Sequence, residues 1–193
     1  QSYKPSAYND EEQALLEMLA THAATAIENA RLFDETQNRI REMEAINRLS
    51  SSLRKSSSQI ELIEIFLDET LALLGEENGS VWLYEYASNQ LVQHAARGSS
   101  MKVIQKQLNT NEGIVARVFQ TGEVYISPDL LKDPVYHKPH LNQVLPGYGG
   151  VCIPIKSTAG TLGTLFIQMS PGRPASQYTS LLVTLAEITG NAI

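Results

Sequence analysis

The stretch from Asn9 to Leu53 contains no glycine and no proline, and it constrains the fold more than any other feature of the sequence. Asn9 or Asp10 can cap the first turn of a helix, and the acidic residues at positions 10–12 suit the positive end of its dipole. Because no helix-breaking residue interrupts the stretch, it predicts one long helix. Such a helix cannot bury its apolar side chains alone, so it needs partners.

Apolar and small residues recur along this helix in alternating steps of three and four residues. This spacing is typical of a coiled coil, in which two helices pack side by side. Past Ile40 the steps tighten through Met43, Ile46 and Leu49, so the apolar stripe moves around the helix and the heptad pattern is interrupted. The regular part predicts a homodimer whose seam contains Leu16, Leu19, Ala23, Ala26, Ala30, Phe33 and Ile40.

Composition and charge narrow the possible function classes. The net charge is −6 and no lysine- or arginine-rich run occurs, which argues against nucleic acid as a partner. No apolar run reaches the roughly 18–20 residues that cross a bilayer, so we expect no membrane segment in this sequence. Cys152 is the sole cysteine, which excludes an intrachain disulfide and a cysteine-rich zinc site. A reducing, cytoplasmic location fits best.

The sequence contains an internal repeat. Residues 15–27 align without gaps on residues 181–193, with six identical positions. The repeat predicts that residues 1–44 are the tail of a preceding domain of the same type, continued as a long signalling helix, and that residues 45–193 form the next domain. By the same comparison, we expect the last helix to continue beyond Ile193 in the natural chain.

The second part of the sequence mixes helices and strands. Ser58 and Glu61 form a capping-box pattern, and Gly75 is a typical stop signal, so a helix is expected between them. Aromatic and β-branched runs separated by turn residues predict two hairpins and a short strand. The predicted strands are residues 81–86, 91–98, 123–127, 151–155 and 161–169, with a short helix at 112–119 ended at Gly122 and a long functional loop or lid at 129–148.

Several motifs in this order resemble the GAF domain, a small-molecule-binding relative of the PAS fold found in signalling proteins. They are Asn111–Val118, Thr121–Glu123, Val151–Ile155 and Leu162–Leu165, together with the closing helix that ends in LAEITGNAI. The resemblance covers about residues 45–193, and residues 1–40 resemble the tail of another copy. It implies an α+β fold with an antiparallel GAF/PAS-like sheet, flanked by helices and preceded by a long linker helix.

The resemblance also implies a ligand between one face of the sheet and the helices and loops of residues 104–149. The aromatic residues there could stack on a planar ring, and Asp129 could accept hydrogen bonds from it. For each candidate, packing in the core or in a loop is the alternative role. The candidate ligand-binding residues are Trp82, Tyr84, Tyr125, Asp129, Tyr136, His137, His140, Tyr148 and Cys152.

The sequence leaves the ligand and any cofactor open but argues against several classes. The Asn-Lys pair that begins the cyclic-nucleotide signature of some relatives is missing, and the loop has no cysteine to attach a bilin. His137 and His140 could share a metal only on a helix, which Pro139 disfavours, so no metal is expected. Some relatives reduce free methionine sulfoxide with several cysteines. A single cysteine cannot both attack and resolve, so we expect no enzyme activity.

Two functions remain as hypotheses. In the first, a small molecule binds in a GAF pocket and changes the packing of dimeric helices, which control a downstream histidine kinase or diguanylate cyclase in the same chain. In the second, the pocket is closed, and the domain dimerises and relays a signal without a ligand. The seam of the long helix serves both functions.

Overall fold

The computed structural model describes residues 9–53, 58–102, 107–136 and 144–193. The helices are α1 (Asp10–Leu53), α2 (Gln59–Leu74), α3 (Gly113–Thr121) and α4 (Thr179–Gly190), with short 3-10 turns at Gly98–Lys102 and Ala175–Gln177. The strands are β1 (Gly79–Glu85), β2 (Gln90–Arg97), β3 (Gln107–Asn109), β4 (Tyr125–Ser127), β5 (Gly149–Ser157) and β6 (Gly160–Met169). No helix in the described part of the chain is both long and apolar enough to cross a membrane.

The long helix is confirmed, and its first turn is capped as predicted. The Asn9 side-chain oxygen accepts a hydrogen bond from the Glu12 N–H at 2.8 Å, and the Glu12 carboxylate accepts one from the Asn9 N–H at 2.9 Å. These reciprocal bonds satisfy two donors that a helix start otherwise leaves without partners. With 44 residues, α1 extends for about 66 Å.

The chain divides into two units, Gln1–Glu44 and Ala45–Ile193. The described residues of the first unit are Asn9 and α1 as far as Glu44, and their side chains are exposed except for the partly buried Gln37. The predicted seam residues are therefore uncovered in the single chain. That this unit is the tail of a preceding domain stays a prediction, as does the dimer.

The second unit is built on a six-stranded antiparallel sheet with strand order β3-β2-β1-β6-β5-β4. This confirms the predicted α+β fold. Both predicted hairpins are present, and β5 turns into β6 where Ser157 pairs with Gly160. A proline inside a strand indicates a strand edge or a bulge. The pairing of β4 with β5 stops at Cys152, so Pro154 lies where β5 has no neighbour on that side.

The main core lies on one face of the sheet. Phe66 of α2 and Leu182 of α4 are fully buried there against strand residues such as Ile153 and Leu165. The end of α1 joins the same core, because Ala45 and Leu49 are buried. Of the residues that follow the interruption of the heptad, Ile46 and Leu49 pack in this core, whereas Met43 is 66% exposed.

Candidate functional site

A second apolar cluster lies on the opposite face of the sheet. Alternate residues of a strand point to opposite faces, so Trp82 and Phe166 face this cluster whereas Val81 and Leu165 face the main core. The short helix α3 and parts of the 129–148 loop complete the cluster, which places α3 and the loop on the side of the sheet where the sequence predicted the ligand.

This second cluster contains a cavity of about 40 Å³. A water molecule needs roughly 10–15 Å³ on this measure, so the cavity has room for only a few waters. It is far smaller than the ~300–1,000 Å³ of typical ligand pockets. Its lining residues are Ser80, Trp82, Ser99, Ser100, Leu108, Glu112, Gly113, Ile114, Val115, Tyr136, Val144, Phe166 and Gln168.

One end of the cavity is polar and organised by hydrogen bonds. The Trp82 indole N–H donates to the Ser80 hydroxyl at 2.9 Å, and the Ser99 hydroxyl donates to the Gln168 side-chain oxygen at 3.3 Å. Ser80 and Gln168 are almost fully buried. Sequence analysis missed this polar wall, because only the pairing of β1 with β6 brings Ser80 beside Phe166 and Gln168. Ser80 and Gln168 are polar residues in otherwise apolar strands, and this was the only sequence signal that could have identified them.

The cavity has little charge. Among the described residues that line it, Glu112 alone carries a charged side chain, and it is exposed at the start of α3. The remaining polar side-chain groups of the described lining are hydroxyls, one amide and the Trp82 indole N–H. Among these described residues, an anionic ligand would therefore find a carboxylate and no lysine or arginine.

Tyr136 was predicted as a ligand-binding residue, and the structure places its side chain in the cavity wall. Its ring stacks on that of Phe166, with 6.1 Å between centroids and 28° between planes. Burial raises the pKa of Tyr136 to about 12, because the ionised phenolate would lose its hydration. Tyr136 therefore stays a neutral phenol at physiological pH.

Asp133 holds the segment before Tyr136 in place. Its carboxylate accepts hydrogen bonds from the Val135 N–H at 2.8 Å and the Tyr136 N–H at 3.2 Å. The Tyr125 hydroxyl on β4 also donates to both carboxylate oxygens, at 3.1 and 3.2 Å. The pKa of Tyr125 is raised by burial and by Asp133, partly offset by the Arg117 guanidinium. Tyr125 thus anchors the loop and does not line the cavity.

Other candidate residues lie elsewhere. Asp129 pairs with Lys132 at 2.8 Å, and this partner lowers its pKa. Tyr84 stacks on Phe119, with 4.9 Å between ring centroids. Tyr148 is half-buried beside the second cluster. None of Tyr84, Asp129 and Tyr148 lines the cavity. His137 and His140 lie outside the described residues, so their predicted roles stay predictions.

Cys152 belongs to the second cluster but does not line the cavity. Its side chain is fully buried, and burial raises the pKa of its thiol far above the usual range. A reactive cysteine needs access and thiolate character, and Cys152 has neither. Among the described residues, no group of three or more His, Cys, Asp or Glu side chains is placed to hold a metal ion.

The burial of Cys152 predicts slow alkylation. At pH 8, we expect iodoacetamide to modify Cys152 at least ~100-fold more slowly in the native protein than in guanidinium chloride. Mass spectrometry measures both rates. Ser88→Cys places a second thiol in an exposed turn as an internal reference, and it should react quickly in the same molecule. Equal native rates for the two thiols would contradict the enclosed position of Cys152.

Known structures share this architecture. The GAF domain of a phosphoenolpyruvate-protein phosphotransferase from Coxiella burnetii is 22% identical, with a TM-score of 0.69 over 79% of this chain and 92% of that chain. The free methionine-R-sulfoxide reductase of Neisseria meningitidis, solved with its substrate, is 13% identical, with a TM-score of 0.67 over 78% and 87%. The GAF domain of a Pseudomonas syringae protein described as a sensor histidine kinase is 14% identical, with a TM-score of 0.56 over 83% and 90%.

The likeness to these structures, each below 25% identity, shows a common fold. Comparison with curated proteins gave no match. A family model described as GAF domain matches residues 56–193, which is most of the chain and includes all six strands. The chain therefore belongs to the GAF domain family, whose members are sensory modules of signalling proteins.

Proposed function

We propose that this chain binds a small molecule in the cavity between the sheet and α3, and that it has no catalytic role. The observation that carries this proposal is the cavity lining, in which aromatic and aliphatic side chains face a short row of buried hydroxyl and amide groups. Small-molecule sites combine these two kinds of surface, because apolar contacts supply affinity and a few fixed polar groups supply orientation.

The signal that a ligand is bound would be transmitted through a dimer of α1 helices. Large apolar side chains on the predicted seam are exposed in the single chain, including Phe33 at 63% and Leu19 at 56%. The ion pairs Arg31–Glu28 and Arg39–Glu35 lie on the other side of the helix, at heptad positions b, c and f. From Leu16 to Ile40 the a and d positions carry no charged side chain, which supports a second copy of α1 as the partner.

The end of α1 offers a physical route from the domain to the seam. Ala45 and Leu49 are buried in the core of the sheet domain, and the same helix carries the seam residues up to Ile40. A change in core packing would therefore act directly on the helix. A ligand can drive such a change only if it binds one packing arrangement more tightly than the other.

The proposed output is a histidine kinase or a diguanylate cyclase in the same chain, acting in the cytoplasm. One similar structure comes from a protein described as a sensor histidine kinase, which supports the first of these. The predicted dimer seam is compatible with either output domain, because a kinase and a cyclase would both be controlled through the relative position of two helices.

A ligand-free relay is the second candidate function. The small cavity volume of about 40 Å³ favours it, since a drug-sized molecule does not fit without movement of the lining. In this version the domain dimerises and transmits strain along α1, and the second cluster is an ordinary core. The two functions differ in whether any compound stabilises the domain through the cavity.

A ligand screen separates the two functions. Neutral small metabolites are added to the purified chain, and thermal unfolding is followed by the fluorescence of Trp82, the sole tryptophan. At ~100 times its dissociation constant, a ligand adds about 2.7 kcal/mol of stability, or about 5–11 °C in the unfolding midpoint. Val115→Phe, which fills the cavity, should abolish this gain. If no compound stabilises the chain, or if the gain survives in Val115→Phe, the sensory proposal is wrong and the relay remains.

A further inference from the structure

We propose that the Tyr136 side chain occupies the ligand position in the described state, and that the ligand is a neutral planar ring that replaces it beside Phe166. This inference rests on the proposed sensory function, because it names the ligand class and the way in which the same cavity opens. It also explains how a binding cavity can be so small.

The packing of Tyr136 supports the first part. Its half-buried phenol ring stacks on Phe166 and forms part of the cavity wall. The remaining space, about 40 Å³, is too small for a second ring. If the phenol leaves, its volume joins the existing space and exposes Phe166 and Trp82 as a stacking surface. Tyr136 is therefore an internal occupant that a ligand of similar shape can displace.

The charge of the lining supports the ligand class. The described lining residues include no lysine or arginine, and the acidic Glu112 lies at the start of α3. A phosphate or carboxylate brought here would lose its hydration without gaining a cationic partner among the described lining residues. Ser80, Ser99 and Gln168 instead offer neutral hydrogen-bonding groups at one end. These features fit a neutral planar ring with one or two polar substituents.

The hydrogen bonds of Asp133 contribute to the resistance of Tyr136 to displacement by a ligand. Tyr136 follows Asp133 by three residues, and Asp133 is fixed by the hydroxyl of Tyr125 on β4. Loss of the Tyr125 hydroxyl should loosen the segment without changing the cavity lining. It should therefore make displacement of Tyr136 easier.

The test uses p-cresol, which is the tyrosine side chain as a free molecule. Its binding is measured from the NMR shift of the Trp82 indole N–H, which lies in the cavity wall. We expect Tyr136→Ala to bind p-cresol at least tenfold more tightly than the parent chain. Tyr136→Phe, which keeps the ring, should gain far less affinity than Tyr136→Ala. Tyr86→Ala, which removes a tyrosine that is 82% exposed, should match the parent.

Two further measurements keep the test decisive. Tyr125→Phe, which leaves the cavity lining intact, should raise p-cresol affinity severalfold. The anionic ring 4-methylbenzoate should bind Tyr136→Ala at least tenfold more weakly than p-cresol does. If neither Tyr136→Ala nor Tyr125→Phe binds p-cresol more tightly than the parent, Tyr136 is not a displaceable occupant. Equal binding of the two ring probes would overturn the inferred ligand class.

The results distinguish this inference from the sensory proposal. A metabolite that stabilises the chain through the cavity, but whose affinity is unchanged in Tyr136→Ala, would overturn the displacement of Tyr136 and leave sensing intact. If p-cresol binds Tyr136→Ala tightly while no metabolite stabilises the parent, Tyr136 is an occupant of the cavity and the sensory proposal fails.

Discussion

Gly163→Ala is expected to lower the free energy of unfolding by about 3 kcal/mol, at the upper end of the range for an overpacked core. Gly163 lies in the central strand β6, paired with Leu83 on one side and Ile155 on the other. An added Cβ would lie 2.1 Å from the Trp82 carbonyl oxygen and 2.9 Å from the Leu83 Cα. These are backbone atoms of a neighbouring strand, so relief requires the sheet to shift.

Gly160→Ala is the matched control in the same hairpin. Its φ of 131° makes any side chain unfavourable, but no heavy atom lies within 4 Å of the added Cβ. It should therefore cost only the strain of a side chain in this sparsely populated conformation, about 1–2 kcal/mol. Urea unfolding, followed by Trp82 fluorescence and by circular dichroism, gives both values. Equal losses for the two variants would mean that the contact with β1 is not the cause at Gly163.

Gly163 also illustrates what the sequence could predict. A glycine inside an apolar strand indicates a close backbone approach or a tight turn, and the approach to Trp82 confirms this. Gly122, predicted to end α3, adopts a left-handed conformation with φ 64°. The sequence is enough to predict the structure at these glycine positions, because the local backbone decides whether a side chain is tolerated there. The helix caps and hairpins were predictable for the same reason.

The candidate site was harder to predict, because it depends on which strands become neighbours. Trp82 and Tyr136 were identified from the resemblance, and both line the cavity. Tyr125 was identified too, but its hydroxyl bonds to Asp133 instead. Ser80 and Gln168 were missed, because nothing local shows that β1 and β6 are adjacent. The aromatic residues of a segment therefore predict the region in which the cavity lies. Which side chains line the cavity depends on the pairing of the strands.

The other large effect is expected at the proposed seam. Phe33→Glu and Ala26→Glu should each convert a dimer into a monomer, because two copies bring two carboxylates together at a position that excludes water. Phe33 and Ala26 occupy d positions of the heptad, where side chains point at the partner helix. Light scattering of the purified chain gives the mass directly, and the expected change is from twice the chain mass to the chain mass.

Neighbouring residues provide matched controls for these two substitutions. Leu32, 47% exposed, is adjacent to Phe33 but lies at position c, and Ala24 lies at position b near Ala26. Leu32→Glu and Ala24→Glu add the same charge away from the seam, so the dimer should survive. If the control variants dissociate as readily as the seam variants, the helices associate through a broad apolar surface without a heptad register. If the mass stays at twice the chain mass in Phe33→Glu and Ala26→Glu, the predicted seam is not the dimer interface, and the proposed route from the cavity to an output domain fails.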